Sequence, residues 1–111
     1  MVVKQQEAKL DHVFHALADP TRRKIIRLIA AHPCTISELS KPFPISLAAI
    51  SKHIKVLEKA GLVNRHVKGR IHSCSIQLEG LSVAREWLRF YEDLWNSQFD
   101  KLEIELNNDE C

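Results

Sequence analysis

A chain of 111 residues, 45% hydrophobic and 27% charged, is long enough for one modest core. It has no apolar run near the roughly 20 residues that span a membrane, and Met1 to Gln6 lacks the apolar segment of a secretion signal, so the expected location is the cytoplasm. The net charge of +2 conceals a polarity: Ser51 to His72 holds six Lys/Arg against one acid and Leu81 to Cys111 holds three against eight, which points the middle of the chain toward a polyanion and the C-terminal part away from it.

Leu10, Val13, Phe14 and Leu17 recur at helical spacing and predict a first helix over Gln5 to Ala18. Asp19 followed by Pro20 is an N-cap with proline at the first helical position, and Ile25, Ile26, Leu28 and Ile29 carry the second helix to about Ala31, where His32-Pro33 ends it. Thr35 and Glu38 have capping-box spacing, with Cys34 and Leu39 placed as the accompanying apolar staple, so a short third helix begins there and stops before Pro42 and Pro44. Ser46 caps a fourth helix that Gly61 closes, with Leu47, Ile50, Ile54 and Leu57 on one face and Ala48, Ala49, Ser51, Lys52, His53 and Lys55 on the other.

Leu62 to Val67 and Arg70 to Leu78 flank Lys68-Gly69, and the alternation of Cys74, Ile76 and Leu78 predicts a half-buried strand, hence a hairpin. After Gly80 a long helix is marked by Leu81, Ala84, Trp87, Leu88, Tyr91, Leu94, Trp95, Phe99, Leu102 and Leu106, a stripe too wide for one side of a lone surface helix. The expected architecture is mainly α with a β-hairpin wing: a winged helix-turn-helix of five helices, forming one domain over residues 1–106 with a disordered tail at 107–111.

Ala16-Leu17-Ala18-Asp19-Pro20-Thr21-Arg22-Arg23, Thr35-Ile36-Ser37-Glu38-Leu39, Ile50-Ser51-Lys52-His53-Ile54-Lys55-Val56-Leu57 and Ala60-Gly61-Leu62-Val63, taken in this order, resemble the ArsR family of winged-helix repressors across nearly the whole chain. The tail, with Trp87-Leu88, Tyr91, Trp95 and Phe99 to Leu102, is similar to a subgroup that mostly lacks the metal sites of the family's founders. The resemblance implies a homodimer joined through the first and last helices, here through Leu10, Phe14, Trp87, Tyr91, Leu94, Trp95, Phe99 and Leu102. It also implies that both fourth helices enter successive major grooves of a palindromic double-stranded DNA operator, roughly 34 Å apart. A signal, a small molecule or a protein, would release such a repressor by favouring a weak-binding state of the dimer.

On the fourth helix the candidates for DNA contact are Ser46, Ala48, Ala49, Ser51, Lys52, His53 and Lys55, because small, polar and positive residues allow close approach to bases and phosphates. Ser46 doubles as the helix cap. On the wing Arg65, Lys68 and Arg70 are candidates for phosphate or minor-groove contact, with no acid between Arg65 and Arg70. Arg22, Arg23, Lys24 and Arg27 fit better as the polar side of the second helix.

No cofactor and no metal are expected. The Cys-x-Cys pair that opens the third helix in the founders is replaced by Thr35 and Ser37, and no histidine follows His72; only His12 and His15, with Asp11 beside them, offer an alternative. Cys34, Cys74 and Cys111 are odd in number and widely spaced, against a disulfide framework. Cys34, just before a helix, is open to a redox-sensing reading, whereas the staple reading makes it a core residue; Cys74 is the same choice on the wing. Trp87, Tyr91, Trp95 and Phe99 of the last helix fit a ligand pocket as well as an interface, with the interface preferred. No glycine-rich phosphate loop and no nucleophile-base pair is present, so the chain is not read as an enzyme; a winged helix that binds a protein partner is the reading of another class.

Overall fold

The computed structural model describes the backbone of residues 2–109 and the side chains of residues 7–106. Its elements follow in the order α1 (Val2–Leu17), α2 (Pro20–Ala31), β1 (Cys34–Thr35), α3 (Ile36–Ser40), α4 (Leu47–Lys59), β2 (Val63–Lys68), β3 (Ile71–Ile76) and α5 (Glu79–Asp109). The three strands form one antiparallel sheet in the order β1-β3-β2.

Local chemistry sets the helix boundaries. The Asp19 carboxylate accepts the Arg22 N–H at 3.0 Å, and Pro20 opens α2 where an N–H would have no partner. Thr35 and Glu38 make the reciprocal capping box, each side chain accepting the other's backbone N–H at 3.1 Å. The Ser46 hydroxyl accepts the Ala49 N–H at 3.1 Å and starts α4. At its far end Leu62 N–H returns to Leu57 O and Gly61 N–H to Glu58 O, both at 3.0 Å, which is a Schellman closure around Gly61 at φ +71°.

That closure also seats α5. Gly80 donates to Gly61 O at 2.9 Å, and a Cβ on Gly80 would run into the Ala60 carbonyl oxygen. Here glycine is required for space, because the first turn of α5 lies directly against the end of α4.

The core lies between the helices and one face of the sheet. Val13 and Ala16 of α1, Ile25 of α2, Ile50, Ile54 and Leu57 of α4, Leu62 and Cys74 are all fully buried, with Ile29 and Leu39 nearly so. Each large aliphatic residue removed from water contributes roughly 1.5–3 kcal/mol.

Five expectations change. The first helix runs Val2–Leu17, where Gln5 to Ala18 was expected, because apolar spacing marks only the part of a helix that meets the core. Cys34–Thr35 is a strand that two residues have no periodicity to announce; its partner is β3, far away in sequence. Lys68 pairs with Ile71, so the turn is Gly69-Arg70, one residue later than expected, with Gly69 at φ +63° in the first turn position as a type II′ hairpin requires. Leu47, expected on the apolar face of the fourth helix, is 53% exposed, because the first turn of α4 overhangs the core and faces the wing. Finally α5 continues to Asp109, so residues 107–109 of the expected tail are helical, while 110 and 111 lie outside the described residues.

Among the described residues of α5, only Gly80 and Ala84 are buried. The helix is about 46 Å long at the usual rise per residue, and it carries most of the molecule's 68 Å longest dimension.

Candidate nucleic-acid interface

The helical repeat of α4 divides the expected contact residues into three sets. Ile50, Ile54 and Leu57 anchor the helix in the core, which turns Ala48, Lys52 and Lys55 outward; all three are exposed. One flank, with Leu47, Ala48 and Ser51, faces the wing across a cleft of about 520 Å³. The other flank, with Ala49 and His53, is half-buried, and His53 Nδ1 lies 3.4 Å from a guanidinium nitrogen of Arg22 on α2. Ser46 is exposed with its hydroxyl engaged as the N-cap.

The wing splits in the same way. Lys68 and Arg70 are exposed at the hairpin tip, beside Gly69. Arg65 is different: its guanidinium pairs with the Glu58 carboxylate of α4, and its side chain is only 15% exposed. It sits opposite Cys74 in the sheet, on the face turned to the core. The charge of Arg65 is therefore spent within the fold, joining helix to wing, and the wing's free charge is at Lys68 and Arg70.

The cleft brings in residues that the sequence reading did not select. Thr35 and Ser37 at the start of α3 and His72 on β3 line it, together with Arg65 and Arg70. His72 Nδ1 is buried with no hydrogen-bond partner among the described residues. Its position follows from the register Val67↔His72, which a sequence reading reaches only with the hairpin turn placed correctly.

Arg22 and Arg23 do more than cover the polar side of α2. Arg22 Nε donates to Ala16 O at 2.7 Å and a terminal nitrogen to His15 O at 2.9 Å, while Arg23 donates to Leu17 O at 2.7 Å. The two arginines satisfy the last carbonyls of α1, where the helix dipole favours cations. Lys24 stands 5.1 Å from the centre of the Phe43 ring.

On the opposite side α1 and α5 pack together. Phe14 meets Trp87 edge-on with ring centres 5.4 Å apart, Trp87 continues to Tyr91 at 4.8 Å, and Lys9 pairs with Glu79 at 3.3 Å. Leu10 is half-buried, whereas Tyr91, Leu94, Trp95, Phe99 and Leu102 remain exposed along an open groove of about 680 Å³ made by α5 alone. A groove on one helix encloses nothing, so the chain by itself builds no ligand pocket there.

A model described as a helix-turn-helix domain matches residues 17–66, which span α2 to β2. The transcriptional repressor SdpR of Bacillus subtilis (strain 168) is 33% identical over 79 residues, covering 71% of this chain and 88% of SdpR. The crystal structure of the ArsR family transcriptional regulator RHA00566 is 40% identical and superposes with a TM-score of 0.76 over 82% of this chain and 94% of its own. The chain belongs to the ArsR family of transcriptional regulators. The homodimeric winged helix-turn-helix DNA-binding domain Mb0332 from Mycobacterium bovis shares the fold at a TM-score of 0.60 and 24% identity, over 83% of this chain and 82% of that domain.

Within the ArsR family, metal and thiol chemistry are natural questions for this chain. Among the described residues no group of three or more His, Cys, Asp or Glu is placed to hold a metal ion, and His12 and His15 have no third ligand beside them. Cys34 and Cys74 are free and buried, directly opposite one another on β1 and β3. Cys34 Sγ is 3.2 Å from His32 O, to which it donates, and burial pushes both thiols above the ordinary thiol range, with Glu38 adding to the effect at Cys34. At Cys74 the nearby Arg65 guanidinium pulls the other way without overcoming burial. Both behave as small core residues. Cys111 lies outside the described residues. No helix among the described residues is long and apolar enough to cross a membrane.

Proposed function

We propose that this ArsR-family chain is a homodimeric transcriptional repressor that binds a palindromic double-stranded DNA operator. The supporting observation is the single outward row of Ala48, Lys52 and Lys55 on a helix whose other side is locked in the core, continued by Lys68 and Arg70 at the wing tip. Small residues let the helix descend into the major groove, and the lysines meet phosphate or base acceptors. Ser46 and Ala49 flank the entry, Ser51 faces the cleft, and His53 reads from the other flank. Two such helices must be held at one DNA turn, and the exposed aromatic row of α5, with Phe14 and Leu10 of α1, supplies the apolar surface for a second copy. SdpR is named a repressor and the Mb0332 domain homodimeric, which agrees with this reading. No metal, cofactor or catalytic step enters it.

Fluorescence anisotropy of the full chain against DNA taken from upstream of its own gene tests the proposal, with scrambled DNA as control and a salt series. The expected result is selective binding that weakens steeply with salt and is lost in K52E and K55E, while dimerisation measured by sedimentation is kept. Affinity unchanged in both variants would overturn the placement of α4. A chain with no preference for any sequence after selection from random DNA would instead be a protein-binding winged helix.

A further inference from the structure

Arg22 ties α2 both to the end of α1 and to α4. From the first turn of α2 its guanidinium donates to Ala16 O and His15 O at the end of α1, and its remaining terminal nitrogen lies 3.4 Å from Nδ1 of His53 on α4. The Asp19 carboxylate accepts the backbone N–H of Arg22 and holds that turn in place.

The chemistry of this contact is one-sided. A guanidinium has only N–H donors and keeps its charge in proteins, so a hydrogen bond to it exists only if Nδ1 of His53 presents its lone pair. The ring proton then sits on Nε2. The opposite tautomer, or an imidazolium, would set donor against donor. Because Arg22 is already tied at two carbonyls it cannot swing away to accommodate either. Nε2, on the far side of the ring, has no hydrogen-bond partner among the described residues.

We infer that Arg22 is a positioning residue of the DNA interface, fixing His53 as the neutral Nε2–H tautomer so that α4 presents one aimed donor to an acceptor on the major-groove edge, such as a purine N7. This rests on the DNA-binding reading above and adds how His53 is made selective. A histidine free to change tautomer would offer a donor or an acceptor at the same place and would discriminate poorly. The same guanidinium fixes the end of α1, so the aim of the donor is tied to the position of that helix.

The test begins on the free protein. Long-range proton–nitrogen NMR of the imidazoles at neutral pH, with the His53 signal assigned by H53Q, is expected to show a protonated Nε2 and an unprotonated Nδ1; a proton on Nδ1 would overturn the inference whatever the DNA results. In R22M, which keeps the aliphatic stem and removes the donors, the tautomers are expected to mix and the preference for a selected operator over scrambled DNA to fall roughly tenfold, the scale of one lost base contact. H53Q, whose amide can supply the Nε2–H donor, is expected to keep most of the preference, and adding R22M to it to cost little more. Equal loss of affinity for operator and scrambled DNA in R22M would make Arg22 a merely structural residue. Should R22M fail to fold, R22K, which keeps a donor for the carbonyls of α1, gives the same comparison. Wild-type protein without any sequence preference would refute the DNA reading while leaving the tautomer measurement to stand or fall alone.

Discussion

Glu58 near the end of α4 and Arg65 on β2 form an ion pair that joins the reading helix to the wing, with both side chains largely withdrawn from water. Seven residues apart across the Gly61 closure, they fix the angle at which the hairpin leaves the helix. Removing either partner leaves the other charge in a partly dry place, so E58A and R65A are each expected to lose roughly 1–3 kcal/mol in urea unfolding. The double variant should lose less than the sum, and a coupling energy near zero in that cycle would mean that the pair does not hold the wing. R65A should weaken DNA binding through a displaced wing, with little change in the salt slope, because its charge is already paired with Glu58.

This pair also marks where reading the sequence stops. Caps, closures and the two apolar helix faces were legible because each is a local pattern: Asp19-Pro20, Thr35 with Glu38, Ser46 and Gly61 each state a boundary within four residues. Arg65 looked like its neighbours Lys68 and Arg70 because charge is visible in a sequence and a partner is not. Whether a cation on a strand points to solvent or to Glu58 depends on strand phase and on a turn that lay one residue later than expected. The strand at Cys34–Thr35, the wing cleft lined by Ser37 and His72, and the Arg22–His53 contact are likewise products of packing between distant segments.

The exposed row on α5 leads to a prediction about assembly. Trp95 and Phe99 stack with ring centres 4.9 Å apart on a helix stretch that nothing else in the described chain covers, and Trp95 is 65% exposed. A charge placed there touches no core residue, so W95E should fold with unchanged helix content by circular dichroism. In the dimer it would sit in the apolar centre of the interface, where losing a large aromatic costs at least about 2 kcal/mol, close to thirtyfold in the dimer constant. Sedimentation velocity across a dilution series is expected to show monomers of W95E at concentrations where wild type is dimeric, together with weaker operator binding. A W95E variant that stayed fully dimeric would remove the C-terminal half of α5 from the interface.

Cys34 and Cys74 face each other across β1 and β3, and directly opposed residues on antiparallel strands have Cα atoms about 4.5–5.5 Å apart, within reach of a disulfide. Burial works against their reaction: it raises both thiols, and the nucleophilic species is the thiolate. In a C111S background, alkylation by iodoacetamide near neutral pH is expected to be far slower in native protein than in urea, and reductant should leave operator affinity unchanged. Rapid native labelling, or a peroxide-dependent loss of affinity that disappears in C34S, would return the thiols to a sensing role.

Acid should expose the caps. The Arg22 backbone N–H holds the Asp19 carboxyl below its usual range, with burial opposing and the Arg22 charge assisting, and the Thr35 backbone N–H followed by its hydroxyl does the same for Glu38. A carboxyl whose folded value is depressed contributes stability that is complete above the unfolded value and disappears as pH falls through the folded one. The stability tied to these two groups is thus present at neutral pH and lost below the ordinary carboxylate range. D19N and E38Q keep a capping acceptor but cannot titrate. Together they are expected to be less stable than wild type in urea unfolding at pH 7 and to show a shallower decline toward pH 3, where the two proteins converge. An acid decline as steep as that of the wild type would assign the acid sensitivity to carboxylates elsewhere.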